Sequence, residues 1–173
     1  MIDIHFIFVL YLVLQIVTWM KKIFLLFILS LNVFFASAQT KIYKGNSTSY
    51  SDCLFTVNGE KVYHGNSTSY SDCRYTFDGD KVYKGNSTSY SDCLFTISGN
   101  KIYRGNSTSY SDCLFTIGDG KIFRGNSSSC SDCLLTVEGK RVYRGNSTSY
   151  SDCIATVDGI VKYFLVAVLV GPY

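Results

Sequence analysis

At 173 residues, with 16 Lys and Arg against 13 Asp and Glu and two His, the chain has the size of one domain and a small net charge. A net charge this small gives no footprint for nucleic acid, which would ask for a clustered basic face. One Pro, 14 Gly, 14 Tyr and 12 Phe exclude a proline-rich or low-aromatic disordered chain and favour β-structure.

From Ile4 to Phe35 the chain is apolar almost without pause. Met20, Lys21 and Lys22 form a positive start, Ile23 to Phe35 an apolar run, and Ala36-Ser37-Ala38 a small-residue cleavage site, which together are the parts of a secretory signal. Residues 20–38 are therefore expected to be a signal peptide, residues 1–19 an over-long start or extra apolar leader, and Gln39 the first mature residue. The competing reading makes Ile4–Met20 a membrane helix, but it is shorter than the roughly 20 residues a span needs. Export implies a periplasmic, cell-surface or extracellular address.

From residue 39 the organisation changes. The phrase GNSTSYSDC recurs at Gly45, Gly65, Gly85, Gly105 and Gly145, and as GNSSSCSDC at Gly125, always 20 residues apart. A unit this short buries an apolar face only by stacking on its neighbours. Runs such as CLFTV and KVY are rich in β-branched and aromatic residues. Asn58-Gly59, Asp78-Gly79, Ser98-Gly99, Asp119-Gly120, Glu138-Gly139 and Asp158-Gly159 read as tight hairpin turns. Strands are expected at about Ser51–Val57 and Lys61–Gly65, with Asn66–Tyr70 and its equivalents as polar loops. Opposite-charge pairing across strands favours a register with Asp72 opposite Lys84, Asp92 opposite Arg104, Asp112 near Arg124, Asp132 opposite Arg144, and Leu94 opposite Ile102.

The expected fold is all-β: tandem 20-residue β-hairpin repeats over residues 39–160, in a closed or nearly closed array, followed by an apolar tail at 161–173. Closure removes the unpaired edges of an open stack. Phe164, Leu165, Val166, Val168, Leu169 and Val170 are expected to pack on the domain as a plug, the competing role being a membrane or partner contact.

The ASAQT end of the leader, the tandem VYKGNSTSYSDCLFT phrases and the apolar tail resemble the five-fold beta-flower proteins of Bacteroidetes-type bacteria. That resemblance implies hairpin petals set around an axis and brings no established activity. Six copies against a five-fold name leave open whether one copy serves as closure or the petal number differs.

Chemistry-bearing residues are few. Cys53, Cys73, Cys93, Cys113, Cys133 and Cys153 hold one repeat position and read as small core hydrophobes rather than a disulfide ladder. Cys130-Ser131-Asp132-Cys133 spells C-x-x-C but lacks a second such pair for zinc. Asp52 and its equivalents read as paired charge rather than a calcium ring. His64 has no nucleophile and acid around it. No enzyme, metal or cofactor is expected.

The remaining candidates are Tyr50, Tyr70, Tyr90, Tyr110 and Tyr150 with Asn46, Asn66, Asn86, Asn106 and Asn146, which place aromatic, amide and hydroxyl groups side by side in the loops. The asparagines also match a glycosylation acceptor and suit turn capping. The leading expectation is an exported, non-enzymatic structural or interaction protein. The alternative is a carbohydrate or cell-wall binding module, with a glycan or envelope component as partner. No nucleic-acid partner is expected, and membrane contact is expected only through the leader or, as the second choice, the C-terminal tail.

Overall fold

A two-residue turn sets the register of every hairpin. Asn58 pairs with Lys61, leaving Gly59 and Glu60 at the centre, and Gly59 has φ +60°. A positive φ at the first central residue matches the right-handed twist of the flanking strands and favours glycine. In the hairpin where Gly118 pairs with Lys121, the glycine sits one place later. Asp119 and Gly120 then both take positive φ, +49° and +73°, so the turn changes type while its length stays the same.

The computed structural model describes residues 15–22, 39–160 and 162–171. The chain divides into two compact units, Met1–Ser37 and Ala38–Tyr173. In the first, residues 15–22 are helical; the signal-peptide reading over Ile23–Ala38 and the start of the leader lie outside the described residues.

The second unit has twelve strands: β1 (Thr40–Lys44), β2 (Cys53–Asn58), β3 (Lys61–His64), β4 (Cys73–Asp78), β5 (Lys81–Lys84), β6 (Cys93–Ser98), β7 (Lys101–Arg104), β8 (Cys113–Gly118), β9 (Lys121–Arg124), β10 (Cys133–Glu138), β11 (Arg141–Arg144) and β12 (Cys153–Asp158). All neighbours pair antiparallel and β1 meets β12, closing a barrel of repeated hairpins. Each long connection ends in a 3-10 turn, as at Tyr70–Asp72.

Strand alternation assigns the two faces of the wall. Val57 pairs with Val62, and Ile42, Val62, Val82, Ile102, Ile122 and Val142 are all fully buried on the inner face. Lys61, Tyr63 and Thr56 face outward, where Thr56 donates its hydroxyl to the Gly65 carbonyl at 2.7 Å. Between Ile42↔Phe55 and Tyr43↔Cys53 one residue, Leu54, is left unpaired. The same bulge recurs at each long connection and sharpens the local twist at the rim.

The charge-paired register does not form. Lys84 stands opposite Tyr75, Arg104 opposite Phe95, Arg124 opposite Phe115 and Arg144 opposite Leu135. Ile102 pairs with Ile97 rather than Leu94. Burying the Ile97–Ile102 pair outweighs exposed charge pairing, which is worth only about 0.2–1 kcal/mol.

Asp158-Gly159 also departs from expectation, because β12 is the last strand and no turn follows it. Gly159 has φ +126°, and the chain leaves the wall with the Ile160 N–H donating to Thr40 Oγ1 at 3.1 Å. The ring's sixth tight junction is therefore made by hydrogen bonds between the two ends of the unit.

Beyond that exit, the apolar tail forms a helix over Tyr163–Val170. Leu165, Val166, Ala167, Val168 and Leu169 are buried in one cluster with the inner-face residues of the wall. A helix apolar on all sides belongs in an interior. Phe164 meets Phe77 with ring centroids 5.9 Å apart. The helix starts near the tight-turn end, where a β-carbon on Gly120 would lie 3.9 Å from the Tyr163 hydroxyl. It ends at the loop end, where Val170 shares a cavity with Leu134, Arg144 and Gly145.

Candidate functional site

Each long loop is locked by its own polar residues. In the loop after β3, the Ser67 hydroxyl accepts from the Ser69 N–H at 3.1 Å and donates to Asp72 Oδ2 at 2.5 Å, while the Asp72 N–H donates to the Ser69 carbonyl at 3.0 Å. The bond from serine to aspartate recurs at Asp52, Asp92, Asp112, Asp132 and Asp152. These carboxylates serve as loop locks and form no charge pairs across the strands; among the described residues the ion pair is Lys140 with Asp158, at 3.0 Å.

The asparagines tie one loop to the next. Asn46, Asn66, Asn86 and Asn106 donate Nδ2 to the carbonyls of Tyr150, Tyr50, Tyr70 and Tyr90 at 2.8–3.0 Å. On three asparagines the amide oxygen accepts as well, from Lys61 at Asn86, Lys81 at Asn106 and Lys101 at Asn126. These amides brace the ring, and their polar atoms are largely committed to it. Asn46 and Asn66 keep a buried Oδ1 with no partner, and Asn146 is exposed.

The tyrosines are the reverse case. Tyr50, Tyr70, Tyr90, Tyr110 and Tyr150 are 70–79% exposed, held at the start of a 3-10 turn with the ring projecting from the wall. Lys61, Lys81, Lys101 and Arg141 sit 5.7–6.0 Å from the ring centroids of Tyr70, Tyr90, Tyr110 and Tyr150. A cation at that distance holds a ring in place through its quadrupole and leaves the rest of the ring open. The sixth position holds Cys130, exposed and free.

All seven cysteines are free. The six repeated thiols are buried or half-buried on the outer face under the loops, with Cys53 Sγ 3.5 Å from the Phe55 carbonyl. No group of metal-ligating side chains occurs among the described residues. His64, opposite Phe55, is exposed at the loop-end mouth of the barrel.

The repeat count, the closed ring of hairpins and the 20-residue period meet in a family model that matches residues 33–169, described as the 6-fold beta flower protein. The chain belongs to that family. The resemblance to a five-fold flower is thereby corrected in number: all six copies build the ring, and β1, preceding the first loop, supplies the closing strand. No curated protein and no solved structure matches this beta flower.

One feature escapes a reading of charge pairs alone. Lys44, His64, Lys84, Arg104, Arg124 and Arg144 occupy one position of the repeat, two residues beyond the buried Ile or Val of the same strand. Alternation along KVYH and its copies turns them to the inner face at the loop-end mouth of the flower.

Proposed function

We propose that this beta flower is an exported, non-enzymatic interaction protein, and that its ring of loop tyrosines is a multivalent carbohydrate-binding surface. The observation that supports the reading is the exposure of five tyrosines at equivalent positions, 70–79% each, on loops fixed by Ser–Asp and Asn–carbonyl bonds. A rigid aromatic face beside hydroxyls offers stacking and hydrogen bonding at low entropic cost. Five weak copies around one ring gain avidity when a polymer engages several at once.

The test is a glycan array with the purified protein, followed by titration of the best hit. Saturable binding to the wild type, lost when all five tyrosines become alanine while the melting temperature holds, is the expected result. A fivefold variant that binds as well as the wild type, or no hit on an array of envelope and plant polysaccharides, would remove carbohydrate as the ligand. Export is tested separately by N-terminal sequencing of secreted material, with Gln39 expected at the start; an intact Met1 or Met20 would count against it.

A further inference from the structure

The loop-end mouth carries a second candidate site, independent of the tyrosines. Equivalent positions on every second strand lie about 9.5 Å from their neighbours, given the usual strand spacing, and six of them form a ring of roughly the same radius. Lys44, His64, Lys84, Arg104, Arg124 and Arg144 are these positions, all exposed. Arg74, where the other copies carry Leu54, Leu94, Leu114, Leu134 or Ile154, adds a further exposed cation at the bulge.

None of these cations has a salt-bridge partner among the described residues. Beneath them the mouth is closed by the end of the helix. One cavity of about 480 Å³ runs between Arg144, Leu134, Ile154 and Val170. Another of about 400 Å³ lies between Lys44 and Arg144, with Asp152 on its border.

Among the described residues, two negative features oppose the ring. The helix C-terminus contributes about half an elementary charge, which is small against five permanently charged rim side chains. The loop aspartates are full charges that serine hydroxyls on Oδ2 hold in place without neutralising, so an anion is bound by direct contact with the rim side chains and not by a net positive field.

We propose that this mouth binds a small soluble polyanion of the phosphate class, held by the rim cations over the apolar floor. Like-charged positions repeated around one opening, two of which, Lys44 and Arg144, share a cavity, favour a multiply charged ligand over a monovalent one. The rim places Arg at three adjacent copies, Arg104, Arg124 and Arg144, and Arg matches phosphate oxygens two at a time.

Calorimetric titration with inorganic tripolyphosphate at low salt tests this. One saturable site is expected, with affinity falling as salt rises. The combined change Arg104→Gln, Arg124→Gln, Arg144→Gln should weaken binding at least ~10-fold. The change Lys41→Gln, Lys121→Gln, Lys140→Gln removes the same charge from the outer wall and the tight turns and should leave affinity within about twofold. His64→Lys, which installs the residue found in the copies on either side, should tighten binding roughly threefold.

No saturable binding, or equal losses in the two triple variants, would overturn the proposal. If the arginine triple fails to fold, His64→Lys decides, and an unchanged affinity sinks the idea. Sedimentation with phosphatidylglycerol vesicles separates the free anion from a lipid headgroup. Vesicle binding that tripolyphosphate cannot displace would also overturn it.

Discussion

Two glycines with the same sign of φ are expected to respond differently to alanine. At Gly99, φ is +59° and a β-carbon would meet nothing within 4 Å, so Gly99→Ala should cost only the left-handed backbone penalty, about 1–2 kcal/mol. At Gly159 a β-carbon would stand 2.6 Å from Thr40 Oγ1 and 2.8 Å from Thr40 Cα, so the backbone itself must move. Urea denaturation should rank Gly159→Ala well below Gly99→Ala; equal midpoints would mean that the seam is looser than its geometry. Tyr43 gives a pH signature. Burial first, then Cys53 and Asp158 beside it, push its phenol above the usual value of 10.0. The native state then holds this proton to higher pH than the unfolded chain does. Its contribution to stability is complete below about pH 10 and is lost as the pH climbs through the native value. Tyr43→Phe should lose less stability than the wild type between pH 9 and pH 11, and parallel losses would contradict this.

The helix Tyr163–Val170 is the element with the largest expected effect. Val166 and Val168 are fully buried and Leu165 nearly so, and Leu165→Ala should cost about 2–5 kcal/mol. Removing residues 162–173 should lower the melting temperature sharply and expose dye-binding apolar surface in the monomer; an unchanged melt with loss of membrane or partner association would make the tail an anchor. How far the elements were legible in the sequence follows from their periodicity. The hairpins were, because Gly at fixed offsets and alternating CLFTV and KVY runs have one physical reading. Register was not, because Asn58-Gly59 does not say whether Gly59 closes the turn or opens it as the first central residue, and the aspartates look available for pairing until Ser67 claims Asp72. The helix was hidden because FLVAVLV has no polar face and so no 3.6-residue pattern to detect. At the candidate site the tyrosines could be chosen from sequence but their exposure could not. The rim cations were readable from KVYH, where alternation sets His64 on the side of Val62.

For the whole molecule, closure depends on β1, which pairs with both β2 and β12. Deleting residues 39–44 would open the ring and leave two unpaired strand edges, β2 and β12, the usual template for edge-to-edge association. Size-exclusion chromatography with light scattering should show loss of the monomer and growth of larger species. A monomer that melts at the wild-type temperature would mean that the helix alone holds the wall together. The same geometry explains how near-identical copies can hold different residues at single sites: Cys130, Gly118 and Arg74 each change one petal, while the ring contacts on either side repeat unaltered.

The buried helix also acts as a gauge. Barrel diameter grows roughly in proportion to strand number, so losing one copy removes two of twelve strands and narrows the interior by about a sixth, around a rod that with its side chains is about 10–12 Å across. Gaining a copy would leave the rod loose in a void. Near-identical tandem units invite drift in copy number during replication, and a tail of fixed girth ties viable lengths to one count. A five-petal descendant would have to trade Val166 and Val168 for smaller residues, or shed its core rod altogether.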